Sequence, residues 1–249
     1  MTAPPLLLIN GYAATAADWD PTFVGALERS FELILPDNQG VGTAPLGDLD
    51  PLTIEAMAAD LEALLDARRI ERLPVAGWSM GGFIAQALAT RAPQRVEALV
   101  LLSTDPGGPS AVPADPAVWA RLTDKSGTPR EQATRLISLL FPAATAAEID
   151  RRFGDLVAAA RAELSPAALS AQVGAMEVWH ATEQPPPSHA PPVLIAHGSE
   201  DIVIPPENSE RLAAHWPSSR VERFAGGGHA FMAQEPERLA NLITSFLSE

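Results

Sequence analysis

Six short apolar runs narrow the folds open to this chain: "PLLLIN" (5–10), "FELILPD" (31–37), "RLPVAGW" (72–78), "VEALVLLS" (96–103), "PPVLIAHG" (191–198) and "SRVERFAG" (219–226). Several are continuous rather than alternating, the mark of strands buried on both faces of a parallel sheet. Helical patterns separate them. Residues 54–70 place Ile54, Met57, Leu61, Leu64 and Leu65 near one face, with acids toward the start and arginines toward the end, as the helix dipole favours. Residues 83–92, 208–216 and 236–248 read similarly, the last opening on a proline suited to a first helical turn. Alternation of this kind predicts an α/β fold. Its sheet is expected to be mostly or wholly parallel, of about six strands, with helices on both faces.

Residues 106–190 interrupt the rhythm. They open on "PGGPSAVPADP" and close on "QPPPSHAPP", both rich in turn formers, and contain helix-like pieces near 115–123, 129–140, 146–163 and 166–181 without a strong strand. The expected organisation is a core of 1–105 and 191–249 with a helical insertion, 106–190, that leaves from a strand's carboxyl end and covers the sheet there as a cap. Ligands of open α/β sheets bind beyond those ends.

The 249 residues suit one such domain, and 47% hydrophobic residues supply a large core. A net charge of −14 argues against nucleic acid or anionic membrane as partners. The chain has no cysteine, which excludes disulfides and thiolate chemistry. "MTAPPLLLIN" reads as neither a signal peptide nor a membrane span, so a cytoplasmic location is expected. Oligomeric state is not legible.

Chemistry concentrates at strand ends. "VAGWSMGG" carries G-x-S-x-G as Gly77-Trp78-Ser79-Met80-Gly81, after a predicted strand and before a predicted helix. In that context the serine sits on a sharp turn. The glycines omit side chains that would collide as strand and helix close, and the helix N-terminus offers free N–H groups. A serine hydroxyl needs a base. Among five histidines, His229 in "GGGHAF" follows the last strand, on the same side of the sheet as Ser79, and His197 in "IAHGSED" is its rival. His180 and His189, in the insertion or its hinge, and His215, late in a helix, read as solvated or satisfied in the core. For the carboxylate that orients the base, Asp201 is favoured over Asp105 by the chain order Ser…Asp…His, and Glu200 reads as solvated.

With "NG" (Asn10-Gly11) after the first strand, "DNQGVG" after the second, "GWSMGG", "HGSED" and "GGGH", the chain resembles the α/β-hydrolase superfamily over almost all its length. The resemblance implies Ser79 as nucleophile, His229 as base, Asp201 as acid, and an oxyanion hole from the backbone N–H groups of Tyr12 and Met80. No metal or organic cofactor is implied. The sequence departs from the family's pattern at Asn10, where a histidine is usual, and at Gln39 and Ala44, where an arginine and a serine are usual. These changes are expected to alter loop anchoring rather than chemistry, with a hydrogen bond from the Asn10 side-chain amide replacing that of the histidine. The chain starts almost on its first strand, so a six-stranded sheet lacking the family's N-terminal hairpin is expected.

The implied activity is hydrolysis of a small or apolar carboxylic ester or lactone through an acyl-enzyme. Enol-lactone hydrolysis, carbon–carbon bond hydrolysis and perhydrolysis remain open on the same residues, as does a ligand receptor on a hydrolase scaffold. Trp78, Trp119, Phe141, Trp179 and Phe231 are the candidates for an apolar substrate pocket, although each taken singly reads more readily as core or cap packing.

Overall fold

The computed structural model describes residues 3–47, 49, 51–185 and 190–249. Pro186, Pro187, Ser188 and His189 of the proline-rich hinge before β5 lie outside the described residues.

The apolar runs become six parallel strands: β1 (Pro5–Ile9), β2 (Glu32–Ile34), β3 (Leu73–Trp78), β4 (Val96–Leu102), β5 (Val193–Gly198) and β6 (Ser219–Phe224). They lie in the order β2-β1-β3-β4-β5-β6, every neighbouring pair parallel. The family's hairpin has no counterpart among the described strands. β2 is shorter than its apolar run, since Pro36 has no N–H to give a ladder.

Successive residues of a strand point to opposite faces, and the core divides accordingly. Leu7, Ile9, Val75, Leu99 and Ile195 pack against α2 (Ile54–Ala67), α3 (Met80–Arg91) and α8 (Asn208–His215). Leu6, Leu8, Ala76, Val100 and Leu194 pack against α1 (Pro21–Glu28) and α9 (Pro236–Phe246). α1 has no counterpart in the sequence reading. Asp20 caps it, accepting from the Thr22 and Phe23 N–H groups at 2.9 Å, and Pro21 opens its first turn. That Asp-Pro signal outweighs the short, glycine-containing apolar pattern that hides it.

Between β4 and β5 run α4 (Pro116–Thr123), α5 (Pro129–Leu140), α6 (Ala143–Ala162) and α7 (Pro166–Ala181). Each opens on a residue that stops the preceding chain: proline at the first turn of α4, α5 and α7, and Pro142 just before α6. Asp115, Thr128 and Ser165 cap α4, α5 and α7 through their side chains.

The strand order reverses at β1, with β2 on one side and β3 on the other. Connections leaving β1 and β3 therefore diverge to opposite faces and leave a crevice at their carboxyl ends. Gly11 and Ser79 stand at those two ends.

Candidate active site

Ser79 follows β3 with φ 56° and ψ −123°, a conformation that a side-chain-bearing residue adopts only when its surroundings impose it. The surroundings here are glycines. A Cβ on Gly77 would lie 2.2 Å from the Gly81 carbonyl oxygen, one on Gly81 2.2 Å from that of Ile9, and one on Gly82 2.4 Å from Thr104 Oγ1. The turn is also pinned by polar bonds. The Ser79 N–H donates to Leu102 O at 2.9 Å, and the Ser79 carbonyl accepts from Gly82 N–H and Thr104 Oγ1, both at 2.8 Å. Close packing of β1, β3 and α3 and a raised serine are thus one feature.

Asp201 lies in the turn after β5, buried. Its Oδ1 accepts the N–H groups of Val203 and Ile204 at 2.9 Å, which leaves Oδ2 for His229 Nδ1 at 2.8 Å. Burial opposes ionisation of this carboxyl. The charges and hydrogen bonds of His229 and His197 outweigh it and hold the group well below the usual carboxylate range. With Nδ1 facing Asp201, Nε2 is the ring nitrogen left to His229, and His229 and Ser79 line the same cavity. The loop carrying His229 is fixed from several sides. Trp78 Nε1 donates to the His229 carbonyl at 3.0 Å, Ala230 N–H donates to Leu140 O at the end of α5 at 3.1 Å, and Gly228 N–H donates to Gln234 Oε1 at 2.8 Å.

His197, the rival base, is fully buried and does something else. Its Nε2 donates to the Ile204 carbonyl at 2.9 Å and lies 3.3 Å from Asp201 Oδ2, so it buttresses the Asp201 turn from behind. Asp105, the rival acid, is also buried, and its Oδ2 lies 3.0 Å from His180 Nε2 rather than near His229. The pairing gives His180 a specific carboxylate partner that the sequence reading did not assign to it. It was not legible because the partners stand 75 residues apart.

Tyr12 and Met80 flank the serine from two elements. Met80 is the first residue of α3, so its N–H has no acceptor within the helix. A Cβ on Gly11 would stand 3.1 Å from Ser79 Cβ, which shows how closely the loop bearing Tyr12 passes the elbow. The cavity beside Ser79 measures about 810 Å³, and its apolar wall includes Trp78, Phe83, Trp119, Phe141 and Met232. Two of the aromatic candidates do not line it. Trp179 is buried and stacks on Phe83 with ring centroids 5.5 Å apart, and Phe231 is buried against Phe224 at 4.6 Å. Polar side chains on the wall include Arg161 and Tyr12, whose phenol is pushed up by burial against the opposing pull of Arg161. Among the described residues, no three acidic or histidine side chains are grouped so as to hold a metal ion.

The sequence matches the family described as the alpha/beta hydrolase fold over residues 4–236. The chain belongs to that family. Among curated α/β-hydrolase relatives, "Putative carbamate hydrolase RutD" of Variovorax paradoxus (strain S110) is 30% identical over 98% of this chain and 91% of its own length. The 2-hydroxy-6-oxo-2,4-heptadienoate hydrolase of Pseudomonas putida F1 is 26% identical over 98% of this chain and 89% of its own. Among solved α/β hydrolases, the meta-cleavage product hydrolase CumD of Pseudomonas fluorescens IP01 superposes with a TM-score of 0.86. It covers 99% of this chain and 91% of its own at 20% identity, a likeness of fold alone. Among the described residues no helix is long and apolar enough to cross a membrane.

The departures from the family's pattern have local consequences. Asn10 Nδ2 reaches the Pro36 carbonyl at 3.4 Å, while Asn38 Nδ2 donates to the Asn10 carbonyl at 2.9 Å. Gln39 Nε2 donates to Leu46 O at 3.0 Å, and Asp37 accepts from Ala16 N–H at 2.8 Å and Thr43 N–H at 2.7 Å. Amides and Asp37 therefore tie the β1 and β2 loops together beside the crevice.

Proposed function

We propose that this chain is a serine hydrolase that cleaves a carboxylic ester of a small or apolar molecule through an acyl-enzyme. The observation that carries the reading is Ser79 on its strained turn, sharing one cavity with a histidine whose other ring nitrogen is held by buried Asp201. In the proposed reaction His229 Nε2 takes the Ser79 proton as Oγ bonds to the substrate carbonyl carbon. The carbonyl π pair moves to oxygen, where the Tyr12 and Met80 N–H groups would receive it. Collapse breaks the bond to the alkoxide, which leaves with the proton from His229. Water then attacks the acyl-enzyme, giving its proton to His229, and the acid departs as Ser79 regains its proton. Asp201 holds the ring's tautomer and stabilises the imidazolium without taking the proton.

Residues 106–190 serve as the cap in this reading. Trp119 of α4, Ile137 of α5, Val157 of α6 and Met176 of α7 all contribute to the cavity wall, which supports it. Carbamate or carbon–carbon bond hydrolysis is the second reading, favoured by the names of the two curated relatives. It uses the same nucleophile and differs in the group that leaves.

Reaction with a fluorophosphonate, followed by peptide mapping, tests the nucleophile. The expected result is one adduct on Ser79 that is absent in Ser79→Ala, and labelling elsewhere would overturn the assignment. Multiple turnover on a panel of esters, carbamates and vinylogous diketones then separates the two readings, and no turnover on any would favour a receptor.

A further inference from the structure

The cavity wall holds a second histidine–carboxylate pair, which the acyl-transfer steps do not use. His180 on α7 sets Nε2 3.0 Å from Asp105 Oδ2, in the loop after β4. The carboxylate is rigidly placed. Its Oδ1 accepts the Gly107 N–H at 2.8 Å, and the Asp105 carbonyl accepts from Gln86 Nε2 at 2.9 Å. Gly107 has φ 72°, and a Cβ there would lie 2.5 Å from Trp179 Nε1, so the loop is pressed against the residue next to His180. The imidazole stands edge-on to Phe83 with ring centroids 5.3 Å apart and to Trp119 at 6.3 Å. Its side chain is 35% exposed, against 4% for Asp105. Burial disfavours the charged ring, but the hydrogen bond and charge of Asp105 outweigh it and raise its pKa. The pair is therefore a histidine biased toward imidazolium, with Nε2 engaged and no protein acceptor for Nδ1 among the described residues.

On the charged ring, which Asp105 favours, Nδ1 carries an N–H, and a few fixed polar groups of this kind orient ligands in largely apolar cavities. Phe83, which His180 touches, lies one helical turn along α3 from Ser79, a rise of roughly 6 Å. We propose that Asp105 and His180 form a recognition subsite for an acceptor oxygen, of a carbonyl or carboxylate, on the acyl portion of the substrate and remote from the scissile carbonyl. His180 makes the contact and Asp105 positions it. The term "acyl portion" rests on the reading of Ser79 as nucleophile; the binding site itself does not.

The test is calorimetric binding to Ser79→Ala protein, which needs no turnover, of three esters of similar size: methyl hexanoate, methyl 5-oxohexanoate and monomethyl glutarate. The expected result is at least one oxygen-bearing ester bound about tenfold more tightly than the alkyl ester, one well-made hydrogen bond's worth of discrimination. A further gain for the glutarate marks a carboxylate as the natural occupant; a gain for the oxo ester alone marks a neutral carbonyl. His180→Phe brings the ratio to within about twofold. His180→Gln, which keeps an N–H donor, restores part of it. Asp105→Asn lowers the ratio in the parent but not in the His180→Phe background, the signature of a residue acting through its neighbour. Equal binding of all three esters, or a ratio that survives both His180→Phe and Asp105→Asn, overturns the subsite. So does a change in thermal stability with the ratio intact. Fluorophosphonate labelling of the wild-type protein reports on Ser79 separately, so failure of one reading leaves the other visible.

Discussion

Two histidine–aspartate pairs face one cavity in this protein, and their surroundings set them apart. Asp201 and His229 are sealed: their side chains are 0% and 3% exposed, and Asp201 accepts from two backbone N–H groups and lies against two imidazoles. Asp105 is equally buried but has one backbone donor and one imidazole, and that imidazole is partly open to solvent. The first pair belongs wholly to loops at sheet carboxyl ends, while the second bridges such a loop to α7 of the insertion. In the proposed reading the same two residue types make a fixed acid–base relay in one place and an adjustable contact in the other. What faces the free ring nitrogen decides which: a serine hydroxyl in the proposed reaction, an incoming ligand in the proposed subsite.

Removing the proposed nucleophile is the most severe way to break the difference. Ser79→Ala is expected to lower kcat by about 10⁴-fold or more on any ester, since base and acid act only through the hydroxyl. Steady-state kinetics check this. Retention of more than a few per cent of activity would mean that the first pair is not a relay.

The two carboxylates come next. Asp201→Asn is expected to lower kcat by roughly 10²–10⁴-fold by presenting the wrong hydrogen-bonding group to His229, whereas Asp105→Asn lowers kcat by less than about tenfold. The reverse order would move the orienting acid one strand earlier. A pH signature accompanies the first variant. Because the folded-state pKa of Asp201 lies below its unfolded value, its stabilisation is present above that unfolded value, about 3.9, and is lost as pH falls through the folded one. The Tm difference between wild type and Asp201→Asn is therefore full near neutrality and shrinks below about pH 4.

Trp179→Ala sharpens the comparison through packing. Trp179 is buried and stacked on Phe83, beside His180, so truncation is expected to cost about 3–5 kcal/mol and lower Tm by roughly 6–20 °C. Trp119→Ala, on the cavity wall and half-buried, is expected to change KM across an ester series with a Tm loss under about 4 °C. Differential scanning fluorimetry and kinetics on the two variants separate core from wall.

These differences also explain what could be read from the chain alone. The strands were legible because both faces of the sheet are covered, so the buried runs are nearly continuous and their ends mark where loops gather. Ser79, Asp201 and His229 each stand just past such an end, and that common placement made them candidates before any geometry. The Asp105–His180 contact has no such signature. Its aspartate is one of several strand-end acids, and its histidine sits in a helix whose apolar pattern says only that one face is buried. Nor does an aromatic residue reveal whether it lines a cavity or fills the core: Trp119 does the first and Trp179 the second, from two helices of one insertion. Helical periodicity reports burial, and the wall of a cavity is partly shielded too.

The smallest expected effect concerns pH and the second pair. The pKa of His180 is raised above its ordinary value because the hydrogen bond and charge of Asp105 outweigh the burial that would lower it. A group whose folded value lies above its unfolded one stabilises fully below the unfolded pKa, near 6.5, and the contribution disappears as pH rises through the folded value. Since the ring is partly exposed, solvent screens much of the effect. Wild type is therefore expected to exceed His180→Gln in Tm by roughly 2 °C at about pH 5.5, with the gap closing as pH rises above the folded value. Asp201→Asn runs the other way, its gap opening as pH rises from acid. Thermal melts of both variants across one pH series test the contrast directly. Two gaps that move together with pH would mean that the pairs share one electrostatic environment and that the division between sealed relay and open contact is mistaken.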